Sequence, residues 1–213
     1  MPNPTPATKR PPWLWIGLGA VVVVALVVAV VASRGGSDDG ADVTSGIEQT
    51  RPVTVTGDAL PALPDSGTDP AVGTVAPTLK GATFDGTSME IAPDGKGKLV
   101  LFVAHWCPHC QREVPLLVDH LKDTKLVSGV ELVTVATATS HTRPNYPPST
   151  WLEQEGWTAP VLADSADGTA AQAYGLPGFP YLVALDKDGK VVGRISGEFP
   201  VATFDQLARA AAG

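Results

Sequence analysis

Cys107 and Cys110 are the only two cysteines in the chain, and they stand two residues apart in Trp106-Cys107-Pro108-His109-Cys110. Thiols at this spacing can close a strained, readily exchanged disulfide. The chemistry that fits is thiol–disulfide exchange. Its electrons reside on the two sulfurs, so no bound cofactor is required. An inert structural bridge fits less well, because so short a loop gains little stability. Half of a zinc site has the same spacing. The other half is missing: there is no second cysteine pair, and His105, His120 and His141 lack structural-zinc spacing. No metal site is expected.

Cys107 falls where an apolar run gives way to a helical pattern. A sulfur there faces unpaired backbone N–H groups and the positive end of the helix dipole, and both favour thiolate. Cys107 is therefore the expected nucleophile, and Cys110, one turn on and more buried, the resolving thiol. His109 has two readings. An imidazole close to the Cys107 sulfur stabilises the thiolate and makes the disulfide more oxidising; the plain reading is a solvent-facing residue in an exposed turn. Glu113 is either a proton relay near Cys110 or an exposed helix residue. Trp106 shields one side of the motif. Pro180 lies in Gly178-Phe179-Pro180-Tyr181. A cis bond there would expose the Phe179 backbone to a substrate segment beside Cys107, although trans is the general default. Phe179 either meets substrate or packs on Trp106. His141 and Arg143 lie in a loop that borders the site or is simply exposed.

The elements that position these residues can be read from the pattern. Leu99 to Ala104 is a continuous apolar run, suited to a buried central strand. A helix follows from about Pro108 to Leu121, kinked by Pro115. Val130 to Ala136 is the next strand. A polar, proline-rich loop covers 139–148, and Ser149 or Thr150 is placed to cap a short helix through Glu155. Pro160 to Leu162 reads as a brief strand and Thr169 to Tyr174 as another helix. Tyr181–Leu185 and Lys190–Ile195 flank an Asp-Gly-containing turn, a hairpin signal. Val201 to Ala212 closes the chain as a helix. Upstream, Ala82 to Gly86 suggests a turn of a short hairpin. This order gives an α/β domain with a mixed central sheet flanked by helices.

Trp13 to Ala32 contains 20 residues without a charge. As a helix it would span about 30 Å, the width of a bilayer core. Lys9 and Arg10 precede it, whereas Arg34 is the only close positive charge after it, followed by Asp38, Asp39 and Asp42. That asymmetry predicts 1–12 in the cytoplasm, 13–32 as a single-pass anchor in the lipid bilayer and the remainder outside. A cleaved signal peptide is the rival, and it exports the domain equally. Residues 33–72, rich in Gly, Ser, Asp, Thr and Pro, read as a flexible extracytoplasmic linker. Val53 and Val55 allow a short strand within it. Residues 73–213 read as the folded domain, large enough for one core. With a net charge of −7 and no basic block beyond the N-terminus, no nucleic-acid partner is expected.

Several segments in order resemble the thioredoxin superfamily, and especially its membrane-anchored extracytoplasmic TlpA/ResA-like branch. They are Ala76-Pro77, Phe102 to Cys110, Glu113 and Pro115, Tyr174 to Pro180, Leu185 to Lys190, and Gly197. The likeness covers roughly residues 73–212. It implies a thioredoxin-like fold, a cis Pro180 and protein thiol–disulfide oxidoreductase activity. Three departures stand out. The Pro-His pair between the cysteines resembles that of the oxidant DsbA. Leu101 takes the strand position of thioredoxin's buried aspartate. Phe179 replaces the frequent Thr or Ile. The Pro-His pair favours an oxidant, while the segment order resembles reductases of cytochrome c maturation.

The main expectation is disulfide exchange with exported cysteine-containing proteins, oxidant direction slightly favoured, with an unidentified membrane redox partner resetting the cysteines. The first alternative is reduction of apocytochrome c or other exported thiols. An alternative of another class is a thioredoxin-fold module that binds proteins or copper.

Overall fold

A computed structural model describes residues 46–213. The cytoplasmic segment and anchor expected over 1–32 lie outside the described residues. Among the described residues no helix is long and apolar enough to cross a membrane.

Central to the fold is a five-stranded sheet in the order β6-β5-β4-β7-β8. Its strands are β4 (Gly97–Val103), β5 (Val130–Ala136), β6 (Val161–Ala163), β7 (Tyr181–Leu185) and β8 (Val191–Ser196). β4 pairs parallel with β5 and antiparallel with β7, so the sheet is mixed as expected. Every residue of β4 is buried. Side chains alternate across a strand. Leu99, Leu101 and Val103 therefore enter one core cluster and Val100 and Phe102 the other.

The first cluster packs under helices α1 (Pro108–Asp123), α2 (Pro148–Gln154) and α4 (Val201–Ala212). α1 contributes Cys110, Val114, Leu117 and Val118 to it, and Pro115 is accommodated within the helix. The second cluster takes in α3 (Thr169–Ala173), Tyr174 and a three-stranded antiparallel sheet. That sheet is formed by β1 (Thr54–Thr56), β2 (Thr78–Ala82) and β3 (Ser88–Ile91).

Two expectations are corrected. The linker expected over 33–72 is part of the folded body from residue 46 on. Thr54–Thr56 pairs with β2, and Leu60 and Ala71 are buried. Leu60 N–H donates to Ala173 O (2.8 Å) and Gly73 N–H to Val191 O (2.8 Å). Arg194, whose side chain is fully buried, clamps Asp69 through Nε–Oδ2 (2.8 Å) and Nη2–Oδ1, and its Nη1 donates to Pro61 O (2.8 Å). Gly175 adopts φ +64°, and a Cβ there would stand 2.5 Å from Pro61 O, so a glycine lets this strap pass. Neither Ser149 nor Thr150 caps α2. Pro147 stands at that position, and Ser149 N–H donates to the Gln49 side chain (3.1 Å).

Candidate active site

β4 ends at Val103, and the chain turns through Ala104 to Trp106 into α1. Cys107 is the residue preceding the first helical turn, in extended conformation, with Pro108 as the first helical residue. Proline suits that place because its missing N–H would have had no partner. The Cys107 and Cys110 thiols are free, 5% and 0% exposed respectively. Burial pushes the Cys110 thiol well above its usual value, and the neighbouring Cys107 and Glu113 add to that.

Phe179–Pro180 is a cis peptide, as the resemblance implied. Cys107 Sγ lies 3.9 Å from the Phe179 carbonyl oxygen. Phe179 also meets Trp106 edge to face, at 5.9 Å between ring centroids. Trp106 is fixed on its other side by Nε1–H donation to Ala138 O (2.7 Å), and the Arg143 guanidinium lies 4.0 Å over its ring. Arg143 thus does border the motif. His141 is exposed and lies apart from it, lining a cleft with Glu48, Gln49 and Tyr146.

Glu113 sits one turn beyond Cys110 on the same face of α1 and is 1% exposed. It is not an exposed helix residue. Its Oε2 accepts from Phe199 N–H (3.3 Å), whereas among the described residues Oε1 has no partner. Burial raises its carboxyl above the usual carboxylate range, partly offset by the Phe199 hydrogen bond.

His109 takes the solvent-facing one of its two readings, with its side chain 55% exposed. Its Nδ1 contacts Glu198 Oε1 at 2.5 Å, on the turn between β8 and α4, and among the described residues no hydrogen bond joins its ring to Cys107. The reason is local: Arg112, one turn along α1, donates to the same carboxylate through Nε (3.0 Å) and Nη2. Hydrogen bonds from Arg112 and His109 hold the Glu198 carboxyl at about 2. Glu198 carried no signal in the sequence. A single acidic residue 89 positions from His109 matches no motif, and only the tertiary fold brings the two together.

His105 was another residue without an assigned part. It is buried, and burial lowers its pKa, with the Pro144 hydrogen bond opposing. A neutral ring fits its contacts: Nδ1–H donates to Pro144 O (2.7 Å) and Nε2 accepts from Ser140 N–H (3.1 Å). It fastens the 140–144 loop that carries Arg143. An open cleft of about 750 Å³ lies beside the motif. His109, Phe179, Ser196 and Glu198 line one part of it, and residues 63–67 of the strap line another.

These features agree with what the chain is similar to. The family model described as Redoxin matches residues 57–210. Thiol-disulfide oxidoreductase ResA of Geobacillus thermodenitrificans is 30% identical over 128 residues, covering 60% of this chain and 70% of that protein. A thioredoxin-family thiol:disulfide interchange protein of Chlorobium tepidum has a solved structure that superposes with TM-score 0.55 at 30% identity, covering 66% of this chain and 97% of that one. A second structure from Chlorobium tepidum, a thiol:disulfide interchange protein DsbE at 23% identity and TM-score 0.56, shares the fold. With the thioredoxin-like sheet and the paired thiols at the head of α1, the chain belongs to the Redoxin family and is a thiol–disulfide oxidoreductase.

Proposed function

We propose that the chain reduces disulfides in exported cysteine-containing proteins through Cys107 and Cys110. The observation that carries this is the placement of Cys107 Sγ at the N-terminus of α1, 3.9 Å from the carbonyl of Phe179, whose neighbourhood opens into the cleft that His109 also lines. A client segment in extended form would lie along Phe179 and Pro180, with Trp106 and Phe179 as its apolar contacts.

The Cys107 thiolate attacks one sulfur of the client disulfide. A mixed disulfide forms and the first client thiolate leaves. Cys110 then loses its proton and attacks Cys107 Sγ, which expels the second client thiolate. The client gains two electrons and the Cys107–Cys110 pair loses two. Burial makes Cys110 a reluctant acid, so the second step needs a base. Glu113 suits that role: it is buried one turn away, its Oε1 is unpaired, and its carboxyl is tuned upward.

The oxidant direction rested on His109 standing at the sulfur. Its ring is engaged by Glu198 instead, which favours the reducing alternative, with apocytochrome c thiol pairs among the clients that the ResA resemblance implies. An extracytoplasmic location and a membrane partner that returns electrons to the pair complete this reading. The test is the reduction potential of the full chain in glutathione buffers. A value near thioredoxin's, roughly −270 mV, is expected. One near DsbA's, roughly −120 mV, would assign an oxidant. Failure to exchange with glutathione at all would leave a binding module.

A further inference from the structure

We propose that Glu198 is a positioning residue of the redox motif: its carboxylate holds the His109 imidazole away from the Cys107 sulfur and so keeps the couple reducing. This rests on the reading of Cys107 and Cys110 as the redox pair.

Glu198 is well fixed for the task. The residue before it, Gly197, donates its N–H to Pro180 O (2.9 Å). The residue after it, Phe199, is buried and donates its N–H to Glu113 Oε2 (3.3 Å). The backbone at 198 is thus pinned between the Pro180 segment and α1. From there the carboxylate reaches over the first turn of α1 and takes His109 Nδ1 at 2.5 Å. Arg112 steadies the same oxygen and stands 2.9 Å from His109 Nδ1. With Glu198 as acceptor, Nδ1 carries the hydrogen and the ring lies over the β8–α4 turn. A ring so committed is drawn away from Cys107 Sγ, whose hydrogen-bond partner among the described residues is the Phe179 carbonyl.

A histidine between two redox cysteines makes a disulfide more oxidising only if it favours the reduced form, by contact or charge at the thiolate. Glu198 opposes both. It draws the imidazole aside, and it places a compensating negative charge between His109 and Arg112. The motif therefore keeps the residue type of an oxidant while the β8–α4 turn disables it. The contacts are half exposed, with His109 and Glu198 side chains at 55% and 39%. Exposed charge contacts are weak and screened. The effect should be severalfold, not a hundredfold.

The test is a double-mutant cycle in the full chain: wild type, E198A, H109A and E198A/H109A, each equilibrated with glutathione. With His109 present, E198A should make the couple about fivefold more oxidising, ~20 mV. With Ala at 109, the same substitution should produce a clearly smaller shift, since only the charge of Arg112 is then released. An E198A shift of equal size in both backgrounds would overturn the proposal, because Glu198 would then act without His109. So would the absence of any shift. A wild-type chain with no glutathione-exchangeable couple would overturn the Cys107–Cys110 reading as well. A normal couple that ignores residue 198 would overturn only the part assigned to Glu198.

Discussion

Glu113 carries the strongest chemical commitment of any single side chain outside the cysteines. A buried carboxyl with one unpaired oxygen is costly when ionised, and burial accordingly raises its pKa. The sign for stability follows. A group whose folded pKa lies above its unfolded value contributes stability that is fully present below the unfolded pKa and is lost as pH rises through the folded one. Urea unfolding of wild type should therefore lose midpoint across that window relative to Glu113→Gln, and parallel pH curves would refute the assignment. The same substitution should slow resolution of a mixed disulfide trapped on Cys107 by about 100-fold, at the low end for a general base. Quenched-flow alkylation of the intermediate reads this directly. The sequence offered a usable signal here. Cys110, Glu113, Val114 and Leu117 follow the i, i+3, i+4, i+7 spacing of one helix face, which places the acid on the buried stripe. Glu198 offered none, because its neighbours in sequence have no periodicity that points toward α1. His109 was legible as a chemical type but not in its orientation, which is decided by a partner 89 residues away.

At the scale of elements, the strap from Leu60 to Gly73 decides how much chain the domain needs. Its composition mimics a linker because it has little apolar periodicity of its own. What holds it comes from elsewhere: backbone carbonyls of Ala173 and Val191 that accept its N–H groups, and the Arg194 guanidinium on β8. By contrast β4, α1, the β7–β8 hairpin and α4 were legible, since each carries its own run, helical face or turn signal. Asp69→Ala should leave Arg194 buried without its carboxylate. The cost should be about 2–3 kcal/mol, below the 3–5 of a fully buried pair because Asp69 remains 14% exposed. The Arg194 hydrogen bond lowers the Asp69 pKa, so this stability is present above the ordinary aspartate value and lost as pH falls through the lowered one. A chain beginning at residue 73 should be destabilised further than Asp69→Ala, by about 2 kcal/mol for the lost Leu60 burial alone. Thermal or urea unfolding of chains starting at 46 and at 73 compares the two. Equal stability would show that the strap is merely draped over the sheet. The strap also lines the cleft beside His109 and Phe179, so its loss should weaken client exchange as well.

The whole molecule couples that domain to whatever residues 1–45 do. If the charge-free run 13–32 crosses the bilayer, the folded body starts only 14 residues beyond it, at residue 46. However they are arranged, those residues reach at most about 50 Å, where a free segment through residue 72 would have allowed nearly three times as much. A redox site held that close serves clients and an electron donor at the membrane surface, not ones far from it. The expectation is that the full chain sediments with membranes, and that protease added from the extracytoplasmic side releases a resistant fragment starting near residue 46. Its redox equilibrium with glutathione should match that of the intact chain, because the contacts described around the couple, from Trp106, Phe179, Glu113 and Glu198, all lie within 46–213. A soluble product whose N-terminus lies near residue 33 would instead identify a cleaved signal peptide. The confinement argument would then fall, while the thiol chemistry, which resides wholly in the folded body, would stand.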